Sequence, residues 1–365
     1  MKILMIVPGL DKRLGGTTTL SIGFFDELKK LAEVTMVCTY FEHELAYIED
    51  RFKSDAQVHL FPAISQKVKF SKEQYLFTKQ HIKSYDLVHV HGLWHMMAYP
   101  SASLAMKNQV PYIMSPHGML EPDAMKRSRL KKVLFWKLGF KKVFRNASAV
   151  HCTAKSEIGN TKQYATNANI IFVSNGVNLP EKQYQKIANQ FLFIGRLHPK
   201  KAVNRLIEAF SMLNDPSLKL IIAGTGSAEY ETSLRELIKA KKLETQIEMV
   251  GFVDGEAKQK WIAESLFVCV PSFSEGMPLV SLETMATGTP LLITKASNVP
   301  EVTEYDCGIE LEDNEPASIA KGLKELLSSD LSQKSKNAAA LVTEKFLWSK
   351  VGRALYQEYQ NLLKK

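Results

Sequence analysis

Short apolar runs recur along this chain, separated by stretches long enough to form a helix. The first occupies residues 3–7 and another occupies residues 87–90. A strand buried on both faces of a parallel sheet shows a continuous apolar run, and parallel neighbours need a crossover connection, usually a helix. The alternation therefore predicts an α/β fold with parallel sheets. Further runs of this kind occupy residues 33–38, 112–115, 149–152, 170–173, 191–194, 219–223, 247–250, 266–270, 290–294 and 308–311.

The runs fall into two series, as expected for a chain of 365 residues, which is about two domains' worth. Residues 174–180 are rich in turn formers and residues 181–190 are polar, which indicates a linker. We therefore expect domains at residues 1–180 and 181–345, with six or seven strands in the first. Residues 346–365 carry an apolar pattern of helical spacing at the positions Val351, Leu355, Tyr356 and Tyr359.

Composition favours a globular protein whose cysteines stay reduced. The chain is 45% hydrophobic, and its longest apolar stretches are far shorter than the roughly 20 residues that span a bilayer. The apolar start ends at Pro8 without a cleavage pattern, so we interpret it as a buried strand rather than a signal peptide. The four cysteines are far apart and lack the paired spacing of zinc or redox sites. A cytoplasmic location is the expectation that follows.

A basic segment begins at Lys126 and ends at Arg145. It contains nine Lys or Arg and no acidic residue, within a chain of net charge +9, and it is interleaved with apolar residues such as Trp136 and Phe140. Such a segment is typical of a helix on an anionic membrane surface, and equally of a core helix with a solvated face. Binding to nucleic acid is a weaker interpretation, because no nucleic-acid-binding module accompanies the segment.

The run from Glu275 to Glu283 holds the most specific chemical signal. Gly276 permits a sharp turn, Pro278 suits a first helical position, and the amides from Met277 and Leu279 onward are expected to face a ligand ahead of the helix. Such a helix start attracts phosphate, and carboxylates on either side of it suit sugar hydroxyls. The alternative is a helix cap and a solvated carboxylate without a ligand.

Two glycine-containing loops add to this signal. Gly195 and Arg196 follow the run at residues 191–194, and Lys201 comes five positions after Arg196, a pair of cations that suits a diphosphate. Gly15 and Gly16 lie between the first strand and a predicted helix, where backbone approaches a phosphate closely. Each loop alone is equally compatible with an ordinary flexible turn or a pair of surface cations.

Taken together, the motifs resemble the family-4 glycosyltransferases, retaining enzymes of the GT-B architecture, over nearly the whole chain. The resemblance implies two Rossmann-like domains whose parallel sheets face each other across a crevice, with the last helix packing back on the N-terminal domain. In chain order the matching motifs are Gly15-Gly16, residues 89–94 (HVHGLW), 115–120 (SPHGML), 174–177 (SNGV), 195–201 (GRLHPKK), 223–226 (AGTG), 251–253 (GFV), 275–283 (EGMPLVSLE) and 285–290 (MATGTP).

Site roles follow from the resemblance, residue by residue. It implies His117, Arg196, Lys201 and Glu275 as catalytic residues, with His117 facing the reacting sugar. Glu275 would hold the donor sugar, Glu283 the ribose, and the backbone around Gly251 the nucleobase. The full donor-binding set that the resemblance implies is Gly15, Gly16, Gly195, Arg196, Lys201, Gly251, Val253, Glu275, Gly276, Met277, Pro278, Leu279 and Glu283.

No metal or other cofactor is expected, because Arg196 and Lys201 would neutralise the diphosphate. His89, His91 and His95 leave a zinc site as a minor alternative, although no third carboxylate or cysteine ligand lies nearby in the sequence. The nucleotide sugar is then a substrate rather than a cofactor.

The expected activity is transfer of a sugar from a nucleotide diphosphate sugar, UDP more than GDP, to a glycan acceptor. We expect the acceptor to be lipid-linked, in surface polysaccharide or lipopolysaccharide synthesis, with the protein peripheral on the inner membrane face. Alternatives are a soluble acceptor, a sugar-nucleotide epimerase of the same architecture, or a binding protein without turnover. Four positions depart from the family pattern: Ala202, Ser297 and Asn298 replace frequent glycines, and Ser265 replaces a frequent Asp.

Overall fold

A computed structural model of the protein describes residues 1–11, 15–126 and 128–364, without the side chain of Asp123. The chain forms two compact units, Met1–Gly176 with Trp348–Lys365, and Val177–Leu347. The chain passes from one unit to the other after Gly176 and after Leu347, a few residues from the predicted domain boundaries at positions 180 and 345. Each unit is built on a parallel sheet flanked by helices.

The first unit contains a seven-stranded parallel sheet in the order β3-β2-β1-β4-β5-β6-β7. Six of these strands coincide with predicted apolar runs. The seventh, β3, lies at the sheet edge and is only half-buried, so it lacks the continuous apolar run on which the prediction depends. The strands are β1 (Lys2–Val7), β2 (Glu33–Tyr40), β3 (Val58–Pro62), β4 (Leu87–His91), β5 (Tyr112–Ser115), β6 (Ala149–Cys152) and β7 (Ile170–Phe172).

Most helices of this unit connect successive strands, as parallel pairing requires. Between β5 and β6 the chain forms a group of short helices that covers the basic segment. The helices are α1 (Gly16–Leu28), α2 (Asp50–Ser54), α3 (Lys72–His81), α4 (Ala98–Lys107), α5 (Pro122–Lys126), α6 (Arg129–Phe135), α7 (Lys141–Arg145) and α8 (Lys155–Tyr164).

The second unit contains a six-stranded parallel sheet in the order β10-β9-β8-β11-β12-β13. All six strands were predicted, although Leu266 and Pro290 precede their strands instead of opening them. Its elements are β8 (Gln190–Ile194), α9 (Val203–Ser211), β9 (Lys219–Ala223), α10 (Ala228–Ala240), β10 (Ile247–Gly251), α11 (Gly255–Glu264), β11 (Val268–Val270), α12 (Leu279–Ala286), β12 (Leu291–Thr294), α13 (Glu301–Glu304), β13 (Gly308–Leu311), α14 (Pro316–Ser328) and α15 (Leu331–Leu341).

The last helix, α16 (Trp348–Leu363), belongs to the first unit and packs on α1. Its buried side chains include Val351, Leu355 and Tyr359, which the helical pattern of the sequence predicted, whereas Tyr356 is half-buried. Close approach depends on glycine, because a Cβ at Gly23 would lie 2.1 Å from the Trp348 ring.

All four cysteines are buried free thiols, three of them on strands as expected. None of the helices within the described residues is both long enough and apolar enough to cross a membrane.

Each sheet order reverses at one point, between β1 and β4 in the first unit and between β8 and β11 in the second. Connections leave in opposite directions at such a point, so the loops at the carboxyl ends of the two strands separate there. In open parallel sheets this is where ligands bind. The loops after these four strands are therefore the first places to look for a site.

Candidate nucleotide-sugar site

In the second unit the loops after β8, β9 and β10 lie backbone against backbone. The amide of Gly195 donates to the carbonyl of Ala223 at 3.0 Å, and the amide of Gly224 donates to the carbonyl of Gly251 at 2.6 Å. A Cβ at Gly224 would lie 1.9 Å from the carbonyl oxygen of Gly195. The Gly224-Thr-Gly226 sequence is thus needed for close loop packing and not as a dinucleotide fingerprint.

Lys201 and Glu275, 74 positions apart in the chain, form an ion pair with 2.5 Å between Nζ and Oε1. Two backbone hydrogen bonds hold the loops that carry them. The amide of Phe273 donates to the carbonyl of Lys200 at 2.9 Å, and the amide of Glu275 donates to the carbonyl of Ala296 at 2.9 Å. The fold therefore brings together, at the β8/β11 reversal, two residues that the sequence assigned to catalysis.

Arg196 lies in the same loop as Lys201, directly after Gly195, whose φ is 156°. Its side chain is exposed and makes no hydrogen bond or ion pair with any residue that the structure describes. The half-buried Lys201 and Lys258 of this unit, in contrast, have carboxylate partners. An arginine in this position retains its whole planar set of donors for an anionic ligand.

The helix start after Glu275 differs slightly from the prediction. Pro278 precedes the helix in an extended conformation (φ −69°, ψ 124°), and α12 begins at Leu279, so Pro278 is not the first helical residue. Its carbonyl accepts from the amide of Ser281 at 2.9 Å, which closes the first turn. Gly276 and Met277 form the half-buried bend that leads from Glu275 to this turn. A helix of eight residues then follows, with its amide end at the carboxyl edge of the sheet.

Glu283 lies on the second turn of α12 and pairs with Lys258 of α11. Lys258 Nζ is 2.7 Å from Oε1 and 2.5 Å from Oε2 of Glu283. Both side chains are a little under one-third exposed, although the Oε2 atom of Glu283 is itself buried. Sequence reasoning missed Lys258, because it is one of many lysines on polar helices and nothing local links it to a residue 25 positions away.

Gly251 is the last residue of β10, and Phe252 and Val253 begin the loop that follows it. Gly251 has a φ of 76°, which favours glycine, and its carbonyl is the acceptor for Gly224. The ring of Phe252 is 61% exposed. The loop thus presents backbone polar groups and an exposed ring beside the glycine loops, which are surfaces suited to a flat heterocycle.

Asn298 follows β12 and explains one of the departures from the family pattern. Its φ of 57° lies in the left-handed region that asparagine tolerates better than most residues. Its side-chain amide donates to the carbonyl of Glu275 at 2.5 Å. Because the amide of Glu275 donates to the carbonyl of Ala296, both main-chain polar groups of Glu275 are hydrogen-bonded. The bond from the Asn298 side chain, here called the tether to Glu275, could not form with glycine at position 298.

The departures at Ala202 and Ser265 have structural consequences of different kinds. Ala202 is fully buried with a φ of 53°, a conformation that favours glycine over alanine. Ser265 caps the carboxyl end of α11, and its hydroxyl donates to the carbonyl of Trp261 at 2.8 Å. Its carbonyl accepts from the ammonium of Lys186 at 2.8 Å, and burial lowers the pKa of Lys186 to about 8.

In the first unit, Gly15 and Gly16 form the start of α1. Gly15 has a φ of 78°, and its carbonyl accepts from the amide of Thr18 at 3.0 Å, while Gly16 is the first helical residue. A Cβ at either glycine would meet no atom of the described residues within 4 Å. The space around these glycines is consistent with the predicted approach of a ligand to the backbone.

His117 follows β5, adopts a φ of 49°, and its Nε2 lies 3.1 Å from Nδ1 of His91 on β4. The next residue is held by α8, because the amide of Gly118 donates to the buried carboxylate of Glu157. Burial, followed by the nearby His151, lowers the pKa of His117 to about 3. His117 is therefore neutral at physiological pH and suited to hydrogen bonding rather than to carrying charge.

Near His117 a chain of buried hydrogen bonds crosses the sheet from α16 to Val173, the residue after β7. His89 Nδ1 contacts the hydroxyl of Tyr359 at 2.5 Å and His89 Nε2 contacts that of Ser115 at 2.6 Å. The Ser115 hydroxyl lies 2.9 Å from Nδ1 of His151, whose Nε2 lies 2.9 Å from the carbonyl of Val173. The carbonyl of Val173 can only accept, so Nε2 of neutral His151 carries the proton and its Nδ1 accepts from the hydroxyl of Ser115. That hydroxyl in turn accepts from Nε2 of neutral His89, whose Nδ1 therefore accepts from the hydroxyl of Tyr359.

These histidines do not converge on a common point as metal ligands would. Both ring nitrogens of His89 have hydroxyl partners, and His95 Nε2 lies 3.0 Å from the carbonyl of His91. No group of three or more metal-binding side chains occurs within the described ranges. The zinc alternative therefore has no supporting geometry.

Two models of known protein families match this chain, one in each half of the sequence. The family model "Glycosyltransferase Family 4" matches residues 14–181, and "Glycosyl transferases group 1" matches residues 178–342. An uncharacterised glycosyltransferase of Methanocaldococcus jannaschii is 26% identical over 99% of both chains. A GDP-mannose-dependent α-(1-6)-phosphatidylinositol dimannoside mannosyltransferase of Mycobacterium tuberculosis is 27% identical over 48% of this chain and 45% of its own.

The fold has a close structural counterpart. The crystal structure of Anabaena HepE in complex with UDP and glucose superimposes with a TM-score of 0.79 at 17% identity, covering 99% of this chain and all of that one. The two family models together cover most of the chain, and their boundary falls where the two units meet in the sequence. With its two parallel α/β units, the chain belongs to the family-4 glycosyltransferases and has the GT-B fold.

Proposed function

We propose that this glycosyltransferase uses a nucleotide diphosphate sugar, with UDP favoured over GDP, and that the second unit binds this donor. The observation that carries this proposal is the loop after β8, which holds both exposed Arg196 and Lys201, the latter paired with Glu275 at the β8/β11 reversal. A diphosphate provides the oxygens that the Arg196 fork and the Lys201 ammonium would bind, and Glu275 would accept from hydroxyls of the sugar. The Anabaena complex with UDP supports the choice of base.

At the other end of the donor, Glu283 would accept from the ribose hydroxyls, oriented by Lys258. The backbone around Gly251 and the exposed ring of Phe252 would contact the nucleobase. In the first unit, the backbone at Gly15 and Gly16 would approach the diphosphate and His117 the transferred sugar. Burial keeps the pKa of His117 low, so His117 would make its contact as a neutral hydrogen-bonding group at physiological pH.

Transfer would proceed without a metal ion and with retention of configuration. Arg196, Lys201 and the start of α12 would stabilise the negative charge of the departing nucleotide diphosphate, which is the largest catalytic contribution that this arrangement offers. A departing phosphate oxygen would take the proton of the acceptor hydroxyl as that hydroxyl attacks the same face of the sugar. No protein carboxylate would form a covalent intermediate.

We further propose a glycan acceptor on a lipid carrier, and a cytoplasmic protein peripheral on the inner membrane face. The basic segment from Lys126 to Arg145 supports this, and so does the similarity to the mycobacterial phosphatidylinositol dimannoside mannosyltransferase. Synthesis of a surface polysaccharide or lipopolysaccharide is the corresponding biological role.

Calorimetric titration with UDP and with GDP in EDTA tests the donor proposal. We expect one nucleotide to bind the wild type, and to bind Arg196→Ala at least about tenfold more weakly, since one charged hydrogen-bonding partner contributes about 1.5–3 kcal/mol. Arg235→Ala, which removes another exposed arginine of the same unit on α10, is the matched control and should bind normally. Binding that requires a divalent ion, or equal effects of the two variants, would contradict the proposal.

A further inference from the structure

The basic segment keeps its aromatic side chains buried or half-buried and exposes its leucines. Phe140 and Phe144 are buried, and Trp136 is half-buried, with its ring centroid 5.6 Å from that of Phe144 and 5.3 Å from that of Tyr164. Of the two interpretations that the sequence left open, core packing accounts for the aromatic residues. These rings are therefore not the groups that would enter a membrane.

The leucines of the same segment point away from the core. Leu130 is 87% exposed, Leu134 is 59% exposed and Leu138 is 69% exposed. They are spaced four residues apart along α6 and the helical turn that follows it, so they form one row, here called the leucine row. Three adjacent exposed leucines are costly in water and mark a surface that is covered when the protein functions.

Cations surround the leucine row. Five of them are exposed and form no ion pair with any carboxylate that the structure describes, and the segment itself contains no acidic residue. A partner protein with an apolar groove would satisfy the leucines alone, whereas a bilayer with anionic headgroups satisfies the leucines and the cations at the same depth. These cations are Arg129, Lys131, Lys137, Lys141 and Lys142.

We propose that α6 and the turn after it dock on an anionic lipid bilayer, with the leucine row inserted among the acyl chains and the surrounding cations at the headgroups. The inference rests on the proposed function only for its purpose, which is to bring the first unit to a lipid-linked acceptor. The docking itself follows from the side chains of this segment.

Vesicle co-sedimentation of the full chain tests the docking. We expect the wild type to bind vesicles of phosphatidylcholine with phosphatidylglycerol, and to bind vesicles of phosphatidylcholine alone much less. Replacing Leu130, Leu134 and Leu138 together by serine should lower the partition coefficient at least about tenfold, because three leucines lose their apolar transfer energy.

A control variant replaces three exposed leucines that lie outside the leucine row. Leu76→Ser, Leu179→Ser and Leu363→Ser also remove exposed leucines, and this variant should sediment with anionic vesicles as the wild type does. Equal losses in both triple variants, or binding that ignores headgroup charge, would overturn the proposal. So would a wild-type dimer, measured by analytical ultracentrifugation, that the leucine-row variant abolishes while vesicle binding is absent.

Calorimetric titration with nucleotide distinguishes a failure of the docking proposal from a failure of the donor proposal. The leucine-row variant should bind UDP or GDP with the affinity of the wild type, because Leu130, Leu134 and Leu138 belong to the first unit and the donor loops to the second. Loss of vesicle binding with intact nucleotide binding supports the docking surface. Loss of both indicates misfolding, which a changed unfolding midpoint would reveal and which would remove the support for the proposal.

Discussion

Replacing Tyr359 by phenylalanine removes one hydroxyl from the hydrogen-bond chain that joins α16 to the first sheet. Both Tyr359 and His89 are fully buried, so the substitution leaves the Nδ1 lone pair of His89 without a partner and without access to water. An orphaned buried acceptor costs about 1–3 kcal/mol. For a unit of this size each kcal/mol lowers the unfolding midpoint by about 2–4 °C, so we expect a decrease of about 2–12 °C.

The assay is thermal unfolding followed by circular dichroism, with urea titration to measure the free energy of unfolding. Tyr356→Phe is the control, because Tyr356 lies on the same helix, is half-buried, and makes no hydrogen bond with any described residue. It should change the free energy of unfolding by less than about 0.5 kcal/mol. Equal shifts for the two substitutions would refute the assignment of Tyr359 as the donor to His89.

Three further predictions concern pH and the candidate site. The buried histidines of the first unit have pKa values depressed from 6.5, to about 3 for His117 and about 4 for His151, chiefly by burial. The unfolded chain therefore binds more protons as the pH falls below 6.5, and each neutral histidine should cost up to about 1.4 kcal/mol of stability per pH unit, measured by urea unfolding between pH 7 and pH 5; a flat profile would contradict this. Asn298→Gly keeps the left-handed backbone but loses the tether to Glu275, so kcat for donor hydrolysis should fall about 2- to 12-fold with little change in unfolding midpoint; an unchanged kcat would show that the tether does not position Glu275. Lys258→Met should raise KM for the donor and leave kcat nearly unchanged, because it removes the partner that orients Glu283 far from the reacting bond; a selective loss of kcat would argue against a ribose-binding role.

Local patterns in the sequence predicted most of the fold. Strands buried on both faces appear as continuous apolar runs, and this alone located every strand except the half-buried edge strand β3. The helical spacing of Val351, Leu355 and Tyr359 likewise predicted the buried face of α16. Element ends were less certain, since the same proline suits both the residue before a helix and the first helical position, as Pro278 illustrates.

Contacts between distant segments could not be predicted in this way. Lys258 reaches Glu283 and Asn298 reaches the carbonyl of Glu275 across loops, and no local period records such a pairing. A partial signal existed for Asn298, because asparagine replaces glycine most readily where φ is positive. For Ala202 there was none, since alanine gives no indication of a left-handed backbone. The exposed leucine row was also hidden, because leucine at helical spacing ordinarily indicates a core.

The most direct measurement of the central claim is the configuration of the sugar that the enzyme releases from its donor. Slow hydrolysis of an α-linked UDP- or GDP-sugar in EDTA, followed by proton NMR before mutarotation, needs no knowledge of the acceptor. We predict that the α-anomer of the unchanged sugar appears first, and that Glu275→Gln reduces its rate of release. Initial release of the β-anomer would contradict retention, and release of an epimerised sugar would contradict transferase chemistry.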